Sequence, residues 1–301
     1  SKALKKVTTE DGKTTVQIEL DYPAKTQGSV IEEMVRAKLV EAGIPADVKI
    51  SQNIIAHEVQ RGVKVFDSVR NIIAVSSGKG GVGKSTVSAN LALALQQEGA
   101  KVGLLDADVY GPSQPTMLGI TDKPYSVDGK TLEPMVAHGL QVASVGVLID
   151  PDQPMIWRGP LAVSALQQLL KQTNWKDLDY LIVDMPPGTG DIQLSLSQEV
   201  PLTGAVVVTT PQDIALMDAR KGLVMFEKVN VPILGIIENM ATHICSKCGH
   251  EEHIFGEGGA AKMAAQYGVD LLGELPLDIN IRLSMDKGEP IVISDPDSKV
   301  A

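Results

Sequence analysis

Residues 78 to 86 of this 301-residue chain read Gly-Lys-Gly-Gly-Val-Gly-Lys-Ser-Thr, and this stretch decides the fold. It fits G-x-x-x-x-G-K-[ST], the pattern of a phosphate-binding loop. An apolar run at 72–75 precedes it and a helical pattern begins at Ser85, so the context is strand, glycine loop and helix. Glycines let the backbone turn its N–H groups towards a phosphate, and the start of a helix adds partial positive charge. The stretch therefore predicts a nucleotide site.

The two lysines of the loop are expected to have different tasks. Lys84 should reach the β- and γ-phosphates, and the hydroxyl of Ser85 should bind Mg²⁺. Lys79 lies five positions earlier, where an ordinary loop needs no lysine. It is either a solvated loop lysine or a cation that reaches the phosphates of a second copy across a two-fold interface, as an arginine finger does. The predicted nucleotide-binding residues of the loop are Gly78, Gly80, Gly81, Val82, Gly83, Lys84 and Ser85.

Three acids follow apolar strand patterns. Asp106 and Asp108 come at the end of one such run, and Asp184 ends another. Ligands bind beyond the carboxyl ends of strands in open α/β sheets. We expect Asp108 to orient the attacking water, Asp106 to lie in the second shell of Mg²⁺ and Asp184 to bind the metal. The predicted chemistry is in-line attack of water on the γ-phosphorus, with Mg²⁺, both lysines and backbone amides stabilising the charge.

The apolar pattern predicts an α/β fold with a mostly parallel sheet covered by helices on both faces. Predicted strands are 72–75, 102–105, 142–145, 181–183, 205–208, 233–237 and 271–274; predicted helices are 85–98, 161–171, 214–228 and 260–267. Residues 111–160, rich in Pro and Gly, are predicted to form a long loop. Residues 1–66 form a different pattern, a small α+β unit with strands near 14–20 and 48–50 and a helix near 30–42. We therefore predict two domains, 1–66 and 67–301.

Composition excludes several classes of protein. The net charge of −10 argues against a general nucleic-acid surface. The chain has no run of 18 apolar residues and its first residues lack the apolar core of a secretion signal, so neither a membrane partner nor export is expected. Its two cysteines do not make a disulfide framework. A cytoplasmic protein is the prediction.

Both cysteines lie in one short motif, Cys245-Ser246-Lys247-Cys248. Thiolates bind soft metals, but a closed site usually has four ligands. A symmetric dimer would supply four thiolates to a shared iron–sulfur cluster. This is the interpretation that we favour. The alternatives are a local zinc site completed by His250 and His253, a redox dithiol, and inert cysteines.

These motifs together resemble a known family. The loop with Lys79 resembles the deviant phosphate loop of the MinD/ParA/nitrogenase-iron-protein ATPases. Within that group, the segments 106–113, 157–160, 184–191 and 238–248 resemble the Mrp/ApbC/Nbp35 iron–sulfur carriers. The resemblance covers roughly residues 67–295. Residues before it resemble the small MIP18-like domain, without the helix and acidic-proline segment that normally open that domain.

The resemblance implies an ATPase that binds ATP or ADP with Mg²⁺ and works as a homodimer. It implies a [4Fe–4S] cluster bridged by two Cys245/Cys248 pairs and delivered to apoproteins. It also makes Lys79 the intermonomer lysine, places Thr86 at the α-phosphate and Asn239 at the adenine, and likens the segment of Pro276 and Asp278 to one that lines the base.

Three functions stay open on the sequence. The first is an ATP-hydrolysing iron–sulfur cluster carrier. The second is a dimerising regulatory ATPase of the MinD/ParA kind with a structural zinc at the cysteines; the sequence has neither a C-terminal membrane helix nor a basic DNA surface to support it. The third is a small-molecule kinase that uses the same loop, for which no acceptor-site residues are recognisable.

Overall fold

The computed structural model describes residues 3–60, 62–148, 159–245 and 247–301. Its first sheet is small and comes from the start of the chain. The elements are β1 (Leu4–Glu10), β2 (Lys13–Leu20), α1 (Gly28–Glu41) and β3 (Ala46–Gln52). β1 and β2 form an antiparallel hairpin, whereas β2 and β3 are parallel because α1 carries the chain back across the sheet. This is the predicted α+β unit with one more strand, β1. Its separation as a domain of residues 1–66 stays a prediction.

The second sheet has nine strands within the described residues. They are β4 (Val69–Ser77), β5 (Val102–Asp106), β6 (Met135–Ala137), β7 (Leu140–Ser144), β8 (Leu178–Asp184), β9 (Gly204–Thr209), β10 (Ile233–Ile244), β11 (Glu251–Glu252) and β12 (Leu271–Leu277). The helices that accompany them are α2 (Lys84–Gln97), α3 (Gln114–Met117), α4 (Gly159–Gln172), α5 (Asp191–Glu199), α6 (Asp213–Lys228), α7 (Gly259–Tyr267), α8 (Ile279–Asp286) and α9 (Ile291–Ser294).

The strand order is β11-β10-β9-β4-β8-β5-β7-β6, and β12 also pairs with β10. All neighbours are parallel except the short strands β6 and β11, which are antiparallel to β7 and β10. β4 thus lies in the middle, next to β8, with β5 one strand further on. The carboxyl ends of these three parallel strands meet at one edge of the sheet, where the predicted site residues follow them.

Helices cover both faces of this sheet, as predicted. Along β4, Ala74 faces the side packed by α4 to α7, where Leu196 and Phe226 are buried. The next residue, Val75, faces the side packed by α2, where Leu93 is buried. Successive side chains of a strand point to opposite faces, so a strand buried on both sides must be apolar throughout. The two aliphatic cores follow from that alternation.

The small sheet and the segment between β2 and α1 contact the C-terminal end of α2, away from the phosphate loop. The backbone N–H of Lys25 donates to the carbonyl of Glu98 at 3.1 Å, and that of Thr26 donates to the Glu98 carboxylate at 2.9 Å. The side-chain amide of Gln52 reaches the carbonyl of Gly99. Among the described helices, none has the length and apolar character needed to cross a membrane.

Several features differ from the sequence prediction. The segment predicted as a long loop contains β7, which corresponds to the predicted strand 142–145, and also α3, β6 and a 3₁₀ turn over Val145–Leu148, which were not predicted. The β6–β7 hairpin closes through His138 and Gly139, both with positive φ, which is the two-residue turn that favours a tight hairpin. Helix α5 was also not predicted, because its short apolar spacing follows a segment rich in Gly and Pro.

Candidate nucleotide and thiol site

The phosphate loop connects β4 to α2. Gly83 ends the loop with φ +86° and caps the helix, in a left-handed conformation that a glycine adopts without strain. Gly78 is needed for a different reason: a Cβ there would lie 2.1 Å from the carbonyl carbon of Asp218 in α6. The loop therefore runs between α6 and the start of α2, with the first N–H groups of α2 free of intrahelical partners. Such a helix start binds an anion.

Lys84 points at the carboxylates of the neighbouring strands. Its Nζ lies 2.6 Å from Oδ1 of Asp184, 3.7 Å from Oδ2 of Asp108 and 3.3 Å from the hydroxyl of Ser85. Lys84 is 6% exposed and Asp184 fully buried. A buried carboxylate needs a compensating charge. One cation thus balances the acids from two different strands at the edge of the loop.

Asp106 is held by donors alone. Its carboxylate accepts backbone N–H groups from Asp108, Ser113 and Gln114 and the hydroxyl of Ser144, all at 3.0–3.2 Å. Burial, followed by repulsion from the neighbouring Asp184, raises the pKa of Asp106 to about 7 despite these hydrogen bonds. Two acids confined in this way are a site where a divalent cation would be favoured.

Three further predicted site residues lie near the same edge of the large sheet. Asp108 is 8% exposed, and its Oδ1 accepts the N–H groups of Tyr110 and Gly111. Lys79 is partly exposed and has no ion-pair partner within the part of the chain that the structure describes. Thr86 lies at the start of α2 and lines a cavity beside the loop.

A cavity of about 370 Å³ opens beside the phosphate loop. The three residues predicted to lie near the adenine, Asn239, Pro276 and Asp278, line it together with aliphatic residues of α2, α8 and α9. The side-chain amide of Asn239 donates to the carbonyl of Val82 at 2.8 Å, which ties this wall of the cavity to the phosphate loop. Asp278 caps α8 by accepting the N–H of Asn280. An apolar slot with a few fixed polar groups is the usual form of a small-ligand site.

The cysteines lie on a hairpin that extends β10. Its last residues pair with β11, and the turn between them is closed by two hydrogen bonds, from the N–H of Cys245 to the carbonyl of His250 and from the N–H of Gly249 to the carbonyl of Cys245. Both thiols are free, Cys245 half-buried and Cys248 exposed. The N–H groups of Lys247 and Cys248 donate to the sulfur of Cys245, which lowers the pKa of this thiol. Thiolate, not thiol, is the form that binds metal.

The local zinc alternative has no support in this geometry. Nδ1 of His253 hydrogen-bonds the carbonyl oxygen of Ala241, and His250 lies exposed in the turn. In the described ranges, no group of three or more His, Cys, Asp or Glu residues lies close enough to hold a metal ion. One chain therefore offers a soft metal two thiols and no further ligand there. Ser246 and, of the 157–160 motif, Trp157 and Arg158 lie outside the described residues.

Three buried polar residues at the site were not found from the sequence. Gln114 donates to Asp184 at 2.8 Å, Ser88 donates to Asp184 at 3.0 Å, and Ser144 donates to Asp106 at 3.0 Å. Each has no exposed surface. Single Ser and Gln residues carry no periodic signal, so only the folded arrangement identifies them. Of the three, Gln114 lies nearest in sequence to a predicted site residue, six positions after Asp108, and only this proximity could have pointed to it.

Comparisons with known proteins relate this chain to P-loop NTPases and to iron–sulfur cluster carriers. A family model described as ParA, NUBPL iron-transfer P-loop NTPase, matches residues 68–301. The iron-sulfur cluster carrier protein of Salmonella typhimurium (strain LT2) is 55% identical over 301 residues, covering 99% of this chain and 82% of that protein. The iron-sulfur cluster transfer protein NUBPL of Mus musculus is 51% identical over 240 residues, covering 79% of this chain and 75% of that protein.

A solved structure confirms the α/β fold. The nucleotide-binding protein from Archaeoglobus fulgidus, in complex with ADP and with cobalt found in it, superposes with a TM-score of 0.66 at 39% identity. The match covers 74% of this chain and 88% of that one.

Proposed function

This chain belongs to the NUBPL iron-transfer P-loop NTPase family, and from that premise we propose that it is an ATP-hydrolysing carrier of iron–sulfur clusters. Two copies would hold a [4Fe–4S] cluster between them and pass it to apoproteins. The observation that carries the proposal is the pair of free thiols on the hairpin that continues β10, the strand that also lines the nucleotide cavity. Thiols that must stay reduced favour a cytoplasmic location.

ATP is the proposed substrate. The phosphate loop, the start of α2 and the cavity beside Asn239 provide room for phosphates at one end and for a base at the other. Lys84, whose Nζ contacts Asp184 and Asp108, would change partners and turn to the phosphate oxygens when nucleotide binds. The exchange keeps the lysine paired in both states, as its burial demands.

The donor set beside Lys84 fits Mg²⁺. Ser85, Asp106 and Asp184 supply the oxygen atoms that a hard cation takes, and a buried oxygen of Gln114 has no hydrogen-bond partner there. Ser85 and Asp184 would hold the ion, and Asp106 would support it from the second shell. When bound, Mg²⁺ supplies positive charge to the phosphates. Release of Lys84 from Asp184 on nucleotide binding leaves that carboxylate free for the role.

Hydrolysis would use Asp108 and a lysine from each copy. Asp108 keeps one oxygen towards the loop while two backbone N–H groups fix the other, a geometry suited to orienting water. That water attacks the γ-phosphorus and ADP leaves. The partly exposed Lys79, without an ion-pair partner among the described residues, would supply charge to the phosphates of the second copy.

The cluster is cargo in this proposal, and its binding needs two chains. A [4Fe–4S] cluster takes four thiolates, and one chain has two cysteines. Two hairpins related by a two-fold axis would supply all four. The lowered pKa of Cys245 favours the thiolate form needed for ligation. A regulatory ATPase with a structural zinc is disfavoured, because relatives at 55% and 51% identity are named iron–sulfur cluster carrier and transfer proteins.

The test is the metal content of anaerobically purified protein. We expect iron and sulfide, a broad brown absorbance and a dimer by light scattering. Cys245→Ser should remove iron and absorbance but leave ADP binding intact, whereas the matched His250→Ala in the same turn should retain the cluster. Stoichiometric zinc without iron, or loss of metal in His250→Ala alone, would refute the proposal.

A further inference from the structure

Gln114 occupies the first position of α3, six residues after Asp108, and has no exposed surface. It joins three elements of the site. Its backbone N–H donates to Asp106 at 3.1 Å, and its side-chain amide donates to the carbonyl of Ser85 at 2.9 Å and to Oδ2 of Asp184 at 2.8 Å. One residue therefore fixes the three residues to which the metal site is assigned.

The orientation of the Gln114 amide is unambiguous. Both atoms within reach of Nε2, a carbonyl oxygen and a carboxylate oxygen, are acceptors, so the NH₂ group must face them. The carbonyl oxygen Oε1 consequently points away from both. It is buried and has no hydrogen-bond partner among the described residues. Buried acceptors are nearly always paired, so an unpaired one beside a candidate metal site is open to a donor that arrives with the ligand.

The position of Oε1 of Gln114 limits where its hydrogen-bond donor can lie. Oε1 shares a carbon with Nε2, so it lies within about 5 Å of the Ser85 carbonyl and of the Asp184 carboxylate. Mg²⁺ in nucleotide sites keeps several of its waters, and those waters donate hydrogen bonds to nearby acceptors. No other donor from the protein reaches this oxygen in the described residues.

We propose that Gln114 is a positioning residue of the magnesium site. Its NH₂ group holds Asp184 in place, and its free carbonyl oxygen accepts a hydrogen bond from a water of the Mg²⁺ shell. The inference rests on the proposed function, because it presupposes a magnesium-dependent nucleotide site. A purely structural glutamine would affect nucleotide binding equally with and without metal. A positioning residue affects the part of nucleotide affinity that Mg²⁺ contributes.

The experiment measures the magnesium enhancement, the ratio of the dissociation constants of a fluorescent ADP analogue in EDTA and in Mg²⁺. Gln114→Met keeps the length of the side chain and removes both functions of the amide. The enhancement should fall about tenfold, as losses of groups around a metal's ligands do, with little change in EDTA. The control is Gln60→Met. Gln60 is also buried with an unpaired Oε1, but its amide donates to the carbonyl of Ser197 in α5.

An unchanged enhancement in Gln114→Met, or an equal loss in Gln60→Met, overturns the inference. If wild type shows neither ADP binding nor enhancement, the proposed function fails instead. Gln114→Glu serves if the methionine variant does not fold. It adds a third acid beside Asp106 and Asp184, so Mg²⁺ alone should raise its melting temperature more than that of wild type. An equal rise in both proteins overturns the inference as well.

Discussion

Replacement of Lys84 by methionine tests whether the acids of the site depend on its charge. The Nζ group lies 2.6 Å from Asp184 and 3.7 Å from Asp108, and both acids are at least nine-tenths buried. Methionine keeps nearly the same volume, so packing is retained and the loss is electrostatic. Breaking a buried ion pair on one side costs about 3–5 kcal/mol, because the partner charge stays buried without compensation. At roughly 2–4 °C per kcal/mol, the melting temperature should fall by about 10 °C at pH 8.

The loss should shrink as the pH falls. Burial and the repulsion from Asp184 already raise the pKa of Asp106 to about 7 with Lys84 in place. Without the lysine, no cation lies beside Asp184, and Asp106 relieves the repulsion by holding a proton over a pH range in which an ordinary aspartate of the unfolded chain has released it. Where the native state binds more protons than the unfolded state, stability rises as the pH falls. The deficit of the variant should therefore be smaller at pH 6 than at pH 8.

The assay is thermal unfolding by circular dichroism in EDTA without nucleotide, at pH 8 and pH 6. Lys79→Met is the matched control, a lysine of the same loop that has no ion pair within the described residues. A surface substitution of this kind changes stability by less than about 0.5 kcal/mol. The reasoning is refuted if both variants melt together, or if the deficit of Lys84→Met is the same at both pH values.

Three further changes have defined outcomes. Gly83→Ala should lower the melting temperature by several degrees. A non-glycine residue at φ +86° costs about 1–2 kcal/mol, and its Cβ would lie 2.2 Å from the side-chain nitrogen of Asn239. The control Gly80→Ala, where a Cβ meets no atom within 4 Å, should leave the melting temperature unchanged. The thiol of Cys245, examined in Cys248→Ser, should be alkylated by iodoacetamide at lower pH than the thiol left in Cys245→Ser, because its pKa is lowered; identical pH profiles would contradict this. Asp108→Asn should bind ATP but release phosphate roughly 100-fold more slowly, and normal turnover would remove Asp108 from the mechanism.

The parallel strands were predictable because burial on both faces demands continuous apolar runs. β8 is buried along its whole length, and its continuous apolar run predicted it as a strand. β10 was predicted to end at residue 237, yet it continues to Ile244. Its later residues include the buried acid Glu238, whose carboxylate accepts the N–H of Ala260 at the start of α7. A helix start from another part of the chain makes this acid tolerable, and no local pattern contains that information.

The residues of the site also differ in how far the sequence predicts them. The phosphate loop and the acids after β5 and β8 were recognisable, because spacing and strand ends encode them. The polar support around Asp184, from Gln114 and Ser88, was not, since each partner lies about 70 residues or more away in sequence and in a helix. Side chains brought together only by the sheet have no sequence periodicity.

One strand connects the two halves of the proposed activity. β10 carries Asn239 at the wall of the nucleotide cavity and leads, six residues later, to Cys245. At the rise of an extended strand, that separation is roughly 20 Å. Between them Met240 has φ +57°, and the pairing with β12 shifts register between Asn239 and His243, so the strand bends at this point. A left-handed methionine is strained and persists only where its surroundings hold it. The hairpin that carries the thiols lies beyond this bend. In the proposed carrier, the wall of the nucleotide cavity and the pair of cysteines thus belong to one strand and the hairpin that continues it.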